Sequence, residues 1–477
     1  VCDGMIMMDR GSLGSSCSSY EDAAYNDARE KVRVIRRLKF LYFWTAIGPS
    51  SWGRYAPVYY NACGLSPAKI SIIEGAMPFV RGLSMPCWGL VADRARRKKA
   101  VALLTQGCGV GCLMLLAWRK LTRDAFAPIL AISLASACFA SSGVVDAFTL
   151  EALGPAARGR FGEVRLWSAV SWGICNVLMG YCADSFGGFE INLAIFGCCT
   201  CITILVFAFS LKEQRAPIKT LLDPPESYAP LDGDAPPPLD DDGFAEVAAD
   251  SVECADARSA RPIFTFDVVL FFVEVTVFGA CTGVVESLLF VYIIQDLGGS
   301  YGLCGLTVAF TVAVEIPLFA VSERLLKTLG HDLMFAMAMA AYIPRVWAYT
   351  VITRETKFWI LLPELLHGPT FALMYAASVD FAAKTAPPGY EARFQTLQNA
   401  CRTCVGTGIG VLAAGTYWEA SCTAEGQRRA CRGGAVRMYR GAGAIMSVML
   451  AVHLCKWAAQ VRRRAKRRSG GEPPPSR

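Results

Sequence analysis

Two charged residues stand in stretches otherwise suited to hydrocarbon. In VVDAFTLEALGPAARGRFGEVRLWSAVSW, residues 144–172, Asp146 lies inside one long apolar run and a second apolar run carries Arg165. An unpaired charge at such a place costs at least several kcal/mol on most scales, so a partner or a ligand must offset it. A helix rises about 1.5 Å per residue, so folding the chain back at Gly154–Ala157 brings both side chains to similar depth on adjacent helices. A carboxylate beside a guanidinium binds vicinal hydroxyls well. Trp172 lies two turns beyond Arg165 on the same face. An ion pair that merely pins two helices would use Asp146 and Arg165 equally well.

Further charges interrupt other apolar runs. Arg54 sits in SSWGRYAPVYY beside Trp52 and Tyr55. Glu74 and Arg81 are seven residues apart on one helix face. Glu274, Glu286, Glu315 and Arg345 follow, and Glu364 and His367 have the i, i+3 spacing of helical neighbours. Carboxylates and an imidazole in apolar surroundings can exchange protons near neutral pH. This set in the second half therefore reads as a proton relay, with purely structural pairing of Glu364 and His367 as the open alternative.

The elements that must position these groups are membrane helices. The chain has 477 residues, of which 54% are hydrophobic and 18% charged, with mean hydropathy +0.37. A soluble domain carries about 25% charged residues. Apolar blocks long enough to cross about 30 Å of hydrocarbon recur along the chain. They predict about twelve spans: Phe40–Ala62, Ile70–Ala92, Ala100–Trp118, Phe126–Leu153, Leu166–Ala183 and Ile191–Leu211, then Phe266–Gln295, Gly302–Val321, Leu333–Val351, Phe358–Ala383, Phe394–Trp418 and Ala435–Ala459. No short alternating segments suggest a β-barrel.

Basic residues concentrate in EKVRVIRRLK, DRARRKK and RRRAKRR, which fall on one side if the spans alternate. Both termini are then cytosolic. The net charge of +7 comes from these flanking clusters, which gives no reason to expect nucleic acid as a partner. Most of the 20 cysteines lie inside spans and read as small apolar residues. CCTC at 198–201 lacks a ligand set, so no metal site is expected. Cys422 and Cys431 share the last outer loop and would form a disulfide if it faces an oxidising space. No glycine-rich nucleotide loop occurs, no cofactor is implied, and nothing points to an enzyme. The chain opens at Val1 without Met, which leaves room for an upstream targeting segment.

The Pro- and Asp-rich stretch DPPESYAPLDGDAPPPLDDDG divides the chain. It cannot bury enough apolar surface to order itself. The expected organisation is an N-terminal cytosolic tail (1–37), a six-helix bundle (38–211), a disordered cytosolic linker (212–262), a second six-helix bundle (263–460) and a basic cytosolic tail (461–477). The halves repeat: CWGLVADRARRKKAVAL is echoed by PLFAVSERLLKTLGHDLMF, each with a late Pro (Pro86, Pro317) and an acidic–Arg pair. Such repeats belong to transporters whose halves rock against each other.

WGLVADRARRKK resembles the second-to-third loop motif of the major facilitator superfamily, with Gly89, Asp93 and Arg94 at its signature positions and Arg96 where the motif has a second Gly. The resemblance implies that Asp93 helps lock the outward-facing state. VVDAF…RFGEVRLWSAVSW resembles the fourth and fifth spans of lactose-permease-like symporters. It implies that Asp146 and Arg165 are a sugar-binding pair and that Trp172 is the ring on which a sugar stacks. The second half, with VESLLFVYIIQDLG, VEIPLF and ELLHGPTFALMYAA, is similar to the associated-domain branch that includes nucleoside–proton symporter-like proteins. Arg345 and His367 match the Arg and His of the permease coupling network, whereas Thr370 stands where a carboxylate is expected. Glu364 is one turn before the His, and Glu315 is included by neighbourhood. Arg54, with Trp52 beside it, departs from the permease pattern and could serve an anionic group on the substrate.

What the resemblance implies is an all-α membrane protein with two pseudo-symmetric six-helix bundles. It would carry out proton-coupled symport of a small hydroxylated solute, sugar or nucleoside, as a monomer in the lipid bilayer. An uncoupled facilitator, favoured by Thr370, and a non-transporting receptor on the same fold are the alternatives.

Overall fold

A computed structural model of the chain describes residues 10–95, 97–122, 125–154, 160–188, 190–210, 265–387, 390–424 and 431–469. The expected linker at 212–262, residues 155–159, Arg96 and the end of the basic tail lie outside the described residues. Among the described residues every regular element is helical.

The first half is built from α1 (Arg10–Trp52), which passes through a 3-10 turn at Gly53–Tyr55 into α2 (Ala56–Ala62), then α3 (Pro67–Ala95), α4 (Lys98–Met114) and a short α5 (Arg119–Thr122). The pair α6 (Phe126–Cys138) and α7 (Ser142–Leu153) makes the fourth span, followed by α8 (Phe161–Ser185) and α9 (Glu190–Ser210). The second half opens with α10 (Phe266–Gln295) and α11 (Tyr301–Val351). α11 holds two spans, because Gly330 at φ 76° breaks it in a left-handed conformation that only glycine adopts easily. Next come α12 (Leu361–Glu364), a π-helical stretch Pro369–Leu373 and α13 (Met374–Thr385). α14 (Glu391–Asn399), a second π-helical stretch Ala400–Gly406 and α15 (Thr407–Ala424) make the eleventh span. α16 (Arg432–Ser469) ends the described chain.

Seven of these units are long and apolar enough to cross a membrane unaided, counted among the described residues. The other crossings are helices with internal breaks or with charges. The tenth and eleventh spans each contain a π turn, a feature that frequently marks functional sites.

The halves meet along two crossings: α8 against the first part of α11, and α3 against α15. At Gly305 a Cβ would run into the backbone of Asn176, so only glycine permits the first approach. Hydrogen bonds between the halves cluster at the end opposite the termini. Asp184 accepts from the backbone N–H of Tyr301 (2.9 Å) and of Gly302 (2.7 Å). Gln295 donates to Asn61 at 2.5 Å, Tyr55 Oη donates to the Tyr301 carbonyl at 3.2 Å, and Glu419 accepts from Ala68 N at 2.9 Å. These bonds close that end of the molecule.

Candidate functional site

The π turn at Pro369–Leu373 follows α12 and sets the faces of His367, Thr370 and Phe371. Arg345, at the centre of the second part of α11, reaches this segment. Its Nη2 is 2.9 Å from Glu364 Oε2, and both side chains are essentially sealed from solvent. Its Nε donates to Tyr349 Oη at 2.8 Å, and Tyr349 Oη donates to Glu364 Oε1. Its Nη1 lies 2.9 Å from His367 Nδ1. A guanidinium only donates, so Nδ1 accepts and the proton of a neutral imidazole sits on Nε2. That Nε2 faces Glu315 Oε2 at 3.9 Å. The structure thus brings Glu315, His367, Arg345 and Glu364 into one continuous chain, with Glu315 at its more accessible end.

Around Glu315 the two halves converge. Arg54 of the first half lies within electrostatic range of both Glu315 and His367. Its guanidinium carbon is 5.5 Å from the centre of the Phe290 ring, and its Nη2 is buried without a hydrogen-bond partner in the protein. Glu286 of α10 also lies within electrostatic range of Glu315. His367, Phe371 and Tyr375 form a ladder of rings, His367 stacked 5.8 Å from Phe371 with planes 8° apart. Arg402, on the second π turn, lies over Phe371 and Tyr375 at 5.8 and 5.9 Å.

The first-half residues are arranged differently from expectation. Asp146 does not bond Arg165: it accepts a 2.6 Å hydrogen bond from Tyr42 Oη, and Arg165 is exposed. Both charges act electrostatically on the Tyr42 hydroxyl. Trp172 lies partly buried beside Gly53, next in sequence to Arg54, so it does stand near the meeting of the halves. Trp52 does not. It is buried in an aromatic cluster with Tyr59, Tyr60 and Phe196 and belongs to the core of the first bundle.

Asp93 is mostly exposed and lies 3.8 Å from Lys98 of its own half, which also pairs with Glu151. Arg94 is exposed, and a side chain at Gly89 would meet nothing within 4 Å. Asp93 therefore pairs within its own half in this conformation. Cys422 and Cys431 are joined, with Cα atoms 5.6 Å apart. No cluster of metal-ligating side chains occurs among the described residues. Glu274 is withdrawn from the site: it pairs with His453 and Lys456, each at 3.1 Å, near the end that carries the termini.

Sequence reasoning passed over Tyr42, Tyr349, Phe371, Tyr375 and Arg402. Arg402 carried a usable signal, a lone charge in the run ACRTCVG. The tyrosines carried none, since a Tyr in a span is ordinarily core.

Two helical bundles that meet across a polar seam, closed at one end, define a membrane transporter of the major facilitator type rather than an enzyme. The chain belongs to the MFS_1 like family, whose model matches residues 35–426. It is an integral, multi-pass membrane protein. It is similar to the maltose permease of Geobacillus stearothermophilus, 22% identical over 348 residues, which cover 72% of this chain and 77% of that protein. Its fold is that of the nucleoside transporter NupG, a mutant form of which matches with TM-score 0.69 at 14% identity, over 88% of this chain and 99% of that one. A bacterial homologue of the human lysosomal transporter Spinster, captured inward-facing and unoccupied, matches with TM-score 0.61 at 14% identity, over 89% and 96% of the two chains.

Proposed function

We propose that the protein is a proton-coupled symporter of a small hydroxylated solute, a sugar or a nucleoside, working by alternating access as a monomer. The observation that carries this reading is the chain from Glu315 through His367 and Arg345 to Glu364. It links a carboxylate at the meeting of the halves to a buried ion pair inside one half, so a proton on Glu315 alters the field felt by both. We assign Glu315 the carrier role. Glu364, fully buried and bonded to both Arg345 and Tyr349, holds Arg345 in place.

In this reading Asp146, oriented by Tyr42, binds solute hydroxyls together with Arg165, and Trp172 stacks on the ring. The pairing of Asp93 within its own half belongs to the inward-facing state, with both termini cytosolic and residues 212–262 tethering the halves. A maltose permease and a nucleoside transporter among the similar proteins support the solute class. Thr370, in place of a carboxylate, favours an uncoupled facilitator as the second reading.

Uptake of radiolabelled maltose and uridine into proteoliposomes, with and without an inward proton gradient, tests both. Accumulation above equilibrium only with the gradient is the expected result. Equilibration at the same rate in both conditions would establish the facilitator.

A further inference from the structure

We infer that the transported solute carries an anionic group, held between Arg54 of the first half and Arg402 of the second. This rests on the transport reading above and narrows its substrate class.

The two arginines share an unusual situation. Nη2 of Arg54 and Nε of Arg402 are both buried, and neither has a hydrogen-bond partner in the protein. Each guanidinium rests on aromatic faces: Arg54 on Phe290, Arg402 on Phe371 and Tyr375. An aromatic face holds a guanidinium flat and leaves its N–H edge available to an acceptor. The side-chain bond that Arg402 makes, from Nη2 to Asn399 Oδ1, is long at 3.4 Å. Arg345, by contrast, has each of its three side-chain nitrogens engaged, by Tyr349, His367 and Glu364. Arg345 is therefore fully paired, whereas Arg54 and Arg402 each keep a buried nitrogen available.

Both arginines border the ladder of rings His367, Phe371 and Tyr375. Phe371, under Arg402, is stacked on His367, and Arg54 acts on that same His367 from the opposite half. The opposing charges are Glu315, within electrostatic range of Arg54, and Glu286, within range of both Glu315 and Arg402. With both carboxylates ionised the four charges sum to zero. Once a proton is taken up, one positive charge is uncompensated. A neutral hydroxyl can accept a bond from a guanidinium but cannot cancel that charge. A carboxylate or phosphate does both, and an arginine edge matches its two oxygens. Solute and proton then enter together and restore neutrality, and the halves can close on a site with no net charge. Because the arginines come from different halves, the same anion also draws the halves together.

The probes are matched pairs differing in charge: D-glucose with D-glucuronate, and uridine with uridine monophosphate, with sodium sulfate as the bare anion. Thermal unfolding of the purified full chain is followed at constant ionic strength. The charged member of a pair should stabilise at a concentration at least about tenfold below that of its neutral counterpart, a difference of about 1.4 kcal/mol. Which pair responds distinguishes a carboxylate from a phosphate. Arg54→Gln and Arg402→Gln should each abolish the preference, and Arg402→Lys should retain part of it, which separates loss of charge from loss of fold. If no anion stabilises the wild type, if neutral members stabilise equally well, or if the preference survives both Gln variants, the inference is wrong. Uptake of the same solutes separates the two readings. Arginine-dependent binding without uptake would remove the symport reading and leave the site. Proton-driven uptake of the neutral members, unchanged in Arg402→Gln, would do the reverse.

Discussion

His367 Nε2 lies 3.9 Å from Glu315 Oε2, while the other nitrogen of the same ring lies 2.9 Å from Arg345. One imidazole therefore stands between a carboxylate at the seam and a guanidinium in the core. Glu315→Gln removes the titrating group and keeps the side chain's shape. Exchange of labelled for unlabelled solute needs no net proton movement and should persist. Accumulation against a gradient should vanish, because the cycle no longer carries a proton. Wild-type accumulation in this variant would move the carrier to Glu286.

The ion pair behind that imidazole makes a different prediction. Arg345 and Glu364 are sealed from solvent, and removing one partner strands the other charge. Glu364→Gln should cost about 3–5 kcal/mol of stability, whereas Arg345→Met with Glu364→Leu should recover much of it. Denaturation of the purified variants in detergent measures both. A loss below about 1 kcal/mol, the range of exposed pairs, would mean the site is wetter than its burial implies.

The class and the C-half cluster were legible in the sequence for the same reason: charge in hydrocarbon is rare and must be answered. That rule singled out Glu315, Arg345, Glu364 and His367, and their convergence required only that spans eight to ten pack together. It also put Arg54 on the list. It failed where a partner carries no charge. Asp146 is answered by Tyr42, 104 residues earlier, and no spacing argument finds a tyrosine on another helix. Pairing Asp146 with Arg165 assumed equal depth and facing orientation, and rotation about either helix axis is invisible in sequence. Trp52 went astray the same way: its neighbour Arg54 points to the seam while Trp52, two residues away, points into the bundle. The π turns that aim Phe371 and Arg402 have no sequence signature in the patterns used.

Asp146 and Tyr42 give a third test. If Asp146 binds solute, its orientation by the Tyr42 hydroxyl matters, and a hydrogen bond to a charged group is worth about 1.5–3 kcal/mol. Tyr42→Phe should weaken solute binding by roughly tenfold or more without unfolding the protein. Exchanging the charges, Asp146→Arg with Arg165→Asp, should abolish binding, since no direct ion pair exists to be restored. Normal transport by the exchanged protein would dismiss both residues from the site.

Asp93 is mostly exposed and pairs with Lys98 of its own half at 3.8 Å in this conformation. Asp93→Asn should therefore leave the stability of this state within about 0.5 kcal/mol. It should weaken the alternative state, in which the motif engages. Single cysteines placed on the seam near the termini should label faster in the variant, and those on the opposite side more slowly. Equal labelling on both sides would count against a locking role.

The last prediction concerns the closed end, outside the spans. Asp296 follows α10 and is 7% exposed, and its Oδ2 has no hydrogen-bond partner in the protein. It lines a cavity of about 580 Å³ together with Arg354, Glu355, Cys431 and Arg432. Burial pushes its carboxyl up to about 7, against the opposing pull of Arg354 and then Arg432. An unfolded Asp titrates near about 3.9, so the folded state binds the proton more tightly. The stability this provides is complete below pH about 4, declines as pH rises, and is gone once pH passes about 7. Asp296→Asn keeps a neutral, hydrogen-bonding side chain at every pH. Between pH 5 and 8 the wild type should lose stability relative to the variant, by on the order of 2–4 kcal/mol. Unfolding temperatures of the two proteins, measured across that range with the Cys422–Cys431 disulfide intact, decide the matter. Parallel curves would show that the carboxylate stays ionised, held by the two arginines.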